Sequence, residues 1–364
     1  MNFSTAQTDA AQHVRPLSVA DARRHFTGGR GYLAACTSGL PSLDTRAAVI
    51  ADLDATSGGH VDLGGYCATV ENSRALFGRL VGVEASRVAI GSQVSVTTAL
   101  LAASLPAGAE VLVAEGDFSS VVLPFVHSPH ALIVRTAPLE LLAEAITDNT
   151  ALVVFSVVQS STGEVADTTA IVAAARAHNA RTFCDATQAI GWLMLDATQF
   201  DALVCHAYKW LCSPRGVSFL TVSPRLAADI PALFAGWYAG GDPWSTCYGG
   251  EGDLADDASR FDVSPAWQAF VGAEPALELF ASIDPAELYD YTTDLAAAFR
   301  RRMALPAPER PSAIVTWSDP DGEQLSQLNA AGITASGRAG RARVAFHVFN
   351  DMTDVALAAS ALGR

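Results

Sequence analysis

The chain has 364 residues; half are hydrophobic, 17% are charged, and the formal net charge at pH 7 is −15. A chain of this length and apolar content can bury a large core and divide into a larger and a smaller domain, so global disorder is excluded. The acidic excess argues against nucleic acid and anionic membrane as partners, because both repel a negatively charged protein.

The six cysteines predict free thiols rather than a disulfide framework. They form no CxxC pair, and Cys184 and Cys205 fall inside apolar runs that predict buried strands. The first residues lack the continuous apolar segment of a secretory signal, and no uninterrupted run of about 18 apolar residues predicts a membrane span. The histidines are scattered and no HExxH motif occurs, so no metal site is predicted. We therefore expect a cytoplasmic protein.

Strand and helix patterns alternate from residue 87 to residue 222. A helix capped by Ser18 is predicted at 18–26, followed by a glycine-rich turn, a loop at 32–41 and a helix at 70–81. Strands are then predicted at 87–90, 110–114, 131–137, 151–158, 180–184, 202–205 and 216–222, with helices at 96–105, 138–148 and 168–178 between them. This alternation predicts an α/β fold with a parallel sheet.

The last third of the chain is predicted to be mostly helical. Two long helices are expected at 265–283 and 285–303, followed by strands at 313–317 and 343–348 and helices at 322–331 and 352–362.

Two of the predicted strands end in polar residues that suit catalysis. The run at 180–184 is followed by Asp185, and the run at 202–205 leads through His206 to Lys209. Because ligands of α/β sheets bind at the carboxyl ends of the strands, we expect Asp185 and Lys209 to project into one crevice. An amine beside a carboxylate predicts a Schiff-base lysine and a partner for a pyridinium nitrogen. Spacing alone leaves open a buried ion pair between the two side chains.

A second candidate site lies between the strand at 87–90 and the helix that follows it. Gln93, Val94 and Ser95 form a short polar turn before the helix, where free backbone N–H groups and the helix dipole favour an anion. This order predicts a phosphate site, to which Val94 contributes its backbone only. An ordinary capped helix is the alternative.

Residues 185–216 resemble a known family. The pattern Asp185-Ala-x-Gln188, followed by Lys209-Trp-Leu and by Pro-x-Gly216, is similar to the class V aminotransferase family of fold-type I enzymes, which use pyridoxal 5′-phosphate (PLP). The family includes cysteine desulfurases, kynureninases, isopenicillin-N-epimerase-like proteins and cysteine-conjugate C–S lyases. The resemblance extends from about Tyr32 to the last helix. It implies a mainly parallel seven-stranded sheet in a large PLP-binding domain at 31–282, a small α+β domain at 283–364, and an N-terminal arm at 1–30 that packs with the small domain.

The resemblance also assigns roles to individual residues. Lys209 is the catalytic residue, which forms the internal aldimine with PLP and then removes the substrate α-proton. Asp185 contacts the pyridinium nitrogen, Gln188 the ring hydroxyl, and Phe118 stacks on the ring. The cofactor phosphate is held by Gln93, Val94, Ser95, His206 and Tyr208.

Three further residues are implicated by the same resemblance. The aromatic loop at 234–250 is similar to a kynureninase segment that reaches the partner subunit's cofactor, so Trp237 and Ser264 are expected to contact phosphate across a homodimer. A surface lid anchored by aromatic residues is the alternative. Arg343 matches the arginine that binds the substrate α-carboxylate, a bidentate task suited to guanidinium. An exposed strand arginine is the alternative there.

The expected reaction follows from the presence of Tyr208 and from the absence of a cysteine at 333–343. Desulfurases carry a nucleophilic cysteine shortly before the carboxylate-binding arginine, whereas residues 333–343 contain none. Tyr208, directly before the lysine, follows the kynureninase pattern. We therefore expect a PLP-dependent C–S lyase that performs β-elimination on a substituted cysteine. An aminotransferase or an amino-acid epimerase is the alternative, a non-catalytic PLP-binding module is a further one, and an enzyme with another cofactor is the last.

Overall fold

The computed structural model describes residues 16–250 and 252–364, and strands and helices alternate through its first two thirds. The strands there are β1 (Val88–Gly91), β2 (Glu110–Ala114), β3 (Ile133–Ala137), β4 (Thr150–Ser156), β5 (Arg181–Asp185), β6 (Ala202–His206) and β7 (Ser218–Val222). The helices are α1 (Val19–Ala22), α2 (Leu43–Ser57), α3 (Leu63–Val81), α4 (Val94–Ser104), α5 (Ser119–Val126), α6 (Leu142–Ala145), α7 (Thr168–Ala177) and α8 (Pro224–Ala227).

The remaining part is formed by four helices and three strands. They are α9 (Trp267–Ser282), α10 (Pro285–Arg302), β8 (Ile314–Ser318), α11 (Glu323–Ala330), β9 (Ser336–Arg338), β10 (Arg341–Ala345) and α12 (Met352–Ala361). None of the helices in the described residues is both long enough and apolar enough to cross a membrane.

The seven strands form one sheet in the order β1-β7-β6-β5-β4-β2-β3. Strands β3, β2, β4, β5 and β6 run parallel to one another, and β7 runs antiparallel to both β6 and β1. Every residue of β6 and β7 is buried, as expected for strands covered by helices on both faces. The predicted seven-stranded, mainly parallel α/β fold is confirmed.

A smaller antiparallel sheet, in the order β8-β10-β9, lies at the C-terminal end of the chain. Its apolar side packs against α10 and α12 through a separate core that includes Phe299, Val344 and Val355. The start of the described chain contacts this part, because Arg23 and Arg30 both form ion pairs with Asp351. The predicted domain limits stay a prediction, and the first half of the predicted N-terminal arm lies outside the described residues.

Several element boundaries differ from the predictions. The helix predicted at 18–26 is the single turn α1 followed by a 3₁₀ turn, Arg23–His25. Helix α3 begins seven residues before the predicted start at residue 70, because Asp62 caps it by accepting a hydrogen bond from Gly65 N at 2.9 Å. The helix predicted at 138–148 was wrong: a 3₁₀ turn and the short α6 replace it, and Ile146 is already extended. Strand β9 was not predicted.

Candidate active site

The site lies where the carboxyl ends of three adjacent strands, β4, β5 and β6, meet. Ser156 at the end of β4 is in register with Asp185 at the end of β5, and Asp185 is in register with Val204 of β6. The turn after β6 then carries Lys209 back towards Asp185. Sequence-distant polar side chains therefore meet because parallel strands end at the same edge of the sheet.

Lys209 and Asp185 are both buried, and burial is the largest cause of the pKa shift of each side chain. Burial lowers the pKa of Lys209 to about 8, and the charge of Asp185 opposes the shift. Burial raises the pKa of Asp185 to about 6, opposed by hydrogen bonds from Thr187 and by the charge of Lys209. Asp185 accepts a hydrogen bond from Thr187 N at 2.8 Å and makes no ion pair with Lys209. The buried ion pair that spacing left open is therefore not formed, and Asp185 forms no ion pair with any residue of 16–250 or 252–364.

Two aromatic rings flank the Lys209 amine. Its Nζ lies 5.4 Å from the ring centre of Phe118 and 5.6 Å from that of Tyr208. Phe118 precedes α5, and 44% of the residue is exposed at the cleft. An exposed aromatic face beside a buried amine suits the stacking of a flat, apolar ring.

One end of the cleft carries groups that favour an anion. Gln93 is the N-cap of α4 and makes no capping hydrogen bond through its side chain, so the first-turn N–H groups of Val94 and Ser95 lack that partner. The guanidinium of Arg215 lies 5.0 Å from the ring centre of Tyr208, in the same cleft. Helix dipole and arginine together make this end cationic, although the whole chain is acidic.

His206 contributes a polar atom that has no partner. Its Nε2 is buried without a hydrogen bond among the described residues, while its backbone N–H donates to Thr187 Oγ1 at 3.0 Å. Burial, assisted by the charges of Lys209 and Arg215, lowers the pKa of His206 to about 4, so the ring is neutral at pH 7. An unpaired buried nitrogen in a cleft wall is what a missing polar ligand would leave.

Gln188 is fixed by three hydrogen bonds before any ligand binds. Its Nε2 donates to the carbonyl of Cys36 at 2.8 Å and to Ser160 Oγ at 3.2 Å, and its Oε1 accepts from the indole of Trp210 at 2.8 Å. The side chain is thus held rigidly at the cleft, with both amide hydrogens already used. The predicted contact with a ring hydroxyl stays a prediction, in which the hydroxyl must donate to Oε1 or displace one of these partners.

Arg343 lies on β10 and is only 1% exposed. It donates from Nε to Ser336 Oγ at 3.1 Å, from Nη2 to Thr37 Oγ1 at 3.0 Å, and from Nη1 to the Ser160 carbonyl and to Ser160 Oγ. All of these acceptors are uncharged, and no carboxylate pairs with Arg343 in the part of the chain described. The exposed strand arginine is excluded, and a buried guanidinium without an anion is left near Lys209.

A further carboxylate, which the sequence did not single out, ties two strand ends together. Asp117 accepts hydrogen bonds from Ser156 N at 2.6 Å, from Ser156 Oγ at 2.5 Å and from Phe118 N at 2.7 Å. Burial raises its pKa. Asp117 thereby fixes the position of Phe118 relative to β4 and Asp185.

Nine of the eleven predicted cofactor residues line a single cleft. They are Gln93, Val94, Ser95, Phe118, Asp185, Gln188, His206, Tyr208 and Lys209. The cleft also contains residues that were not predicted as contacts, namely Ser120, Ser156, Ser160, Thr187 and Arg215. Trp237 and Ser264 lie outside it and bond to each other, with the indole N–H donating to Ser264 Oγ at 3.2 Å.

Cys36, which the sequence suggested to be a core residue, also lies beside this site. It is 1% exposed, its carbonyl holds Gln188, and its thiol is near enough to influence the pKa of both Lys209 and Arg343. Its Sγ lies 3.9 Å from Ser336 Oγ. Spacing could not reveal this position, because the 32–41 loop meets the turn after β6 only in the folded chain.

Comparisons with known proteins identify the family. The aminotransferase class-V model matches residues 57–310. A kynureninase from Salinispora tropica is 30% identical over 89% of this chain and 83% of its own length. A kynureninase from Deinococcus radiodurans is 29% identical over 65% of this chain, a match that spans 60% of that relative, and isopenicillin N epimerase from Streptomyces clavuligerus is 28% identical over 47% of each chain. The chain therefore belongs to the class V aminotransferase family, whose members are PLP-dependent enzymes, and PLP is its cofactor.

Solved structures share the fold at low identity. The cysteine desulfurase CsdA from Escherichia coli superposes with a TM-score of 0.81 at 18% identity and covers 96% of this chain and 98% of its own. The cystine C–S lyase C-DES superposes with a TM-score of 0.80 at 19% identity and covers 92% and 97%. These likenesses support the fold-type I assignment.

The residues present fit the cofactor that the family implies. A carboxylate without a cation, an exposed aromatic face, a partially deprotonated buried amine and an orphaned histidine nitrogen line one cleft. The carboxylate of Asp185 suits a protonated ring nitrogen, and the face of Phe118 suits a flat ring. The amine of Lys209 suits a carbonyl carbon, and the free nitrogen of His206 suits a phosphate.

Proposed function

We propose that the enzyme cleaves the Cβ–S bond of an S-substituted cysteine by β-elimination. The observation that carries the proposal is that Lys209 and Arg343 lie near each other at a site where the described residues offer no accessible thiol. Residues 336–343 form the β9–β10 hairpin and place Ser336, not a cysteine, beside Arg343, and Cys36 is buried. A desulfurase needs a nucleophilic thiol that can reach the substrate sulfur, so the sulfur here must leave on its own substituent.

Different residues of the cleft would hold different parts of the cofactor. Asp185, Gln188 and Phe118 would hold the cofactor ring, while Gln93, Val94, Ser95, His206, Tyr208 and Arg215 would hold its phosphate. Lys209 would bind the cofactor covalently in the resting enzyme. When bound, PLP supplies an electron-withdrawing ring that accepts the electrons released at Cα.

Two residues act on the substrate. Arg343 binds its α-carboxylate and thereby fixes the Cα–H bond relative to Lys209. Lys209, with its pKa lowered to about 8, takes the α-proton as a general base. The Cβ–S bond then breaks with its electron pair going to sulfur, which leaves as a thiolate. Water hydrolyses the remaining three-carbon enamine to pyruvate and ammonium.

A second candidate is the hydrolysis of kynurenine, which is favoured by the kynureninase match over 89% of the chain. Transamination and epimerisation remain as further outcomes of the same proton abstraction.

Product analysis distinguishes these reactions. We would incubate the PLP-loaded enzyme separately with S-benzyl-L-cysteine, L-cystine and L-kynurenine and measure thiol, pyruvate, anthranilate, keto acid and chirality. The lyase proposal predicts equal amounts of pyruvate and sulfur product from the cysteine derivatives, absent in Lys209→Ala. Anthranilate from kynurenine without pyruvate from either cysteine derivative would replace the lyase proposal with kynurenine hydrolysis. A keto acid that retains the sulfur substituent, or a D-amino acid, without pyruvate would replace it with the aminotransferase or the epimerase.

A further inference from the structure

A second cavity, of about 750 Å³, lies between helices α6 and α7 and the smaller sheet, and Lys209 is not part of its lining. One of its walls comes from α6, α7 and the 162–167 loop, and the other from the end of α10, the 305–310 loop, β8 and β10. It shares no lining residue with the cofactor cleft. Cavities of this size hold small organic molecules.

Two arginines on the second wall lack an acidic partner. Arg300 Nε is buried without a hydrogen bond, and its other nitrogens donate only to the carbonyls of Pro306 at 3.3 Å and Ile314 at 3.5 Å. Arg341 Nε donates to the hydroxyl of Thr316 at 3.1 Å. Neither forms an ion pair with any carboxylate of residues 16–250 or 252–364. Burial, followed by the charge of Arg341, lowers the pKa of Arg300. Both guanidiniums are half-buried and line the same cavity, so an anion that contacts both would offset the repulsion between their like charges.

A third arginine in the same cavity is neutralised. Arg310 lies 2.5 Å from Asp167 and 3.2 Å from Glu309. The cavity therefore contains acids that pair with one arginine, while Arg300 and Arg341 remain without them. This contrast makes Arg310 a matched control for the other two.

The rest of the lining suits an apolar body attached to the anion. Leu139, Ile171, Leu305 and Trp317 are buried or half-buried parts of the walls. The first wall also carries Glu140, Glu144 and Glu164, all of them exposed. Because these carboxylates are exposed, water and salt screen their repulsion of an anion at the arginine wall.

We propose that this cavity binds a small organic anion, whose carboxylate or phosphate contacts Arg300 and Arg341 and whose apolar body covers Leu139 and Leu305. Guanidinium forks bind both groups in the same bidentate way. The site is separate from the reaction at Lys209 and does not depend on which substrate the enzyme uses.

Calorimetric titration of the PLP-loaded enzyme tests the proposal. The probes are 3-phenylpropionate and phenyl phosphate, which have no α-amino group and cannot react with the cofactor, and 3-phenylpropionamide is the uncharged match. We expect at least one anion to bind and the amide to bind at least about tenfold more weakly. A stronger response to one anion identifies the group that the site prefers.

Four variants locate the binding. Arg300→Gln and Arg341→Gln should each weaken it by about tenfold or more, whereas Arg310→Lys, which keeps a positive charge beside Asp167 and Glu309, should keep it. Arg343→Gln should also keep it, losing at most a separate binding event in the cofactor cleft. Circular dichroism shows whether each variant folds. If one of the two arginine variants misfolds, the other still tests the proposal. The proposal is overturned if neither anion binds the wild-type enzyme, or if binding survives in the folded Arg300→Gln or Arg341→Gln variant but is lost in Arg343→Gln.

Discussion

Arg343 is buried and pairs with no carboxylate of the described residues. Its replacement should therefore weaken substrate binding more than it slows the chemical step. Its three nitrogens are held by Ser336, Ser160 and Thr37, so the guanidinium is oriented before substrate arrives. We predict that Arg343→Gln raises KM about ten- to hundredfold with a smaller change in kcat, because a charge-assisted contact to the substrate carboxylate is lost. Steady-state kinetics with whichever amino acid turns over would show this.

The control for this prediction is Arg338→Gln on the neighbouring β9. Arg338 is exposed and influences the site only through its charge, so its loss should change KM less than about threefold and in a salt-dependent way. An unchanged KM in Arg343→Gln would remove this residue from substrate binding.

Lys209 should load the cofactor at a lower pH than an exposed lysine would. A neutral amine is the reactive form, and a pKa of about 8 leaves about a tenth of it neutral at pH 7. We predict that the rate of PLP attachment to the apoprotein rises with pH and is half-maximal near pH 8. Stopped-flow absorbance after mixing would give this profile.

The charge of Asp185 affects the pH at which this profile reaches its midpoint. Its carboxylate raises the pKa of Lys209 against the effect of burial, so Asp185→Asn should move the midpoint below that of the wild type. The remote, exposed Asp294→Asn should leave it in place. A midpoint that moves upward in Asp185→Asn would contradict the electrostatic account.

At the level of residues, the sequence predicted side chains that follow strands and missed those that loops deliver. Asp185 and Lys209 could be predicted because each follows a buried run, and parallel strands bring such ends together. Arg215 lies beyond the lysine turn, and Cys36 lies about 170 residues before Lys209, so no local pattern connects either to the site. Thr187 was passed over because it lies between two residues of a recognised motif.

At the level of elements, the close approach of the 32–41 loop to the Lys209 turn is the contact most sensitive to side-chain size. Gly39 N–H donates to the Tyr208 carbonyl at 2.9 Å. A Cβ at Gly39 would lie 2.9 Å from both Cα and Sγ of Cys212 and nearer still to the Lys209 carbonyl. We predict that Gly39→Ala lowers the free energy of unfolding by about 1–3 kcal/mol and weakens cofactor binding.

Denaturant unfolding and a PLP titration would measure both effects. Gly241→Ala is the matched control, because a Cβ there meets nothing within 4 Å and its backbone is not left-handed. Equal stability and cofactor affinity in the two variants would show that the loop does not constrain the lysine turn.

Element boundaries were predictable where capping and periodicity agree, and not where short-range polar bonds decide. Strand β2 was predicted with its observed limits because a buried apolar run has clear ends. The helix expected at 138–148 stops early because Thr147 N–H donates to Thr150 Oγ1 in a turn that leads into β4. Strand β9 has only three residues and depends on pairing with β10, which its own sequence does not encode.

At the level of the whole molecule, we propose that two chains associate through faces that a single chain leaves uncovered. Leu43, Ile50 and Leu53 of α2 are 41–49% exposed. Trp237 and Ser264 bond to each other outside the cofactor cleft, so in a single chain they cannot make the predicted phosphate contacts. Contiguous exposed apolar side chains mark interaction surfaces.

This proposal predicts a dimer whose cofactor affinity depends on Trp237. Light scattering should give the mass of two chains, and Trp237→Ala should weaken PLP binding by about tenfold, as expected for the loss of one phosphate contact. Tyr248→Ala, in the same loop and 94% exposed, is the control and should have no effect. A monomer at micromolar concentration with full cofactor affinity would refute the proposal.

The central claim is that Lys209 holds PLP covalently in the cleft at the ends of β4, β5 and β6. Absorption spectroscopy of the purified protein supplied with PLP tests it most directly. We predict a yellow band that borohydride bleaches, with a reduced cofactor retained on a peptide containing Lys209, and no such band in Lys209→Ala. A colourless wild-type protein, or a borohydride-reducible band that persists in Lys209→Ala, would contradict the account.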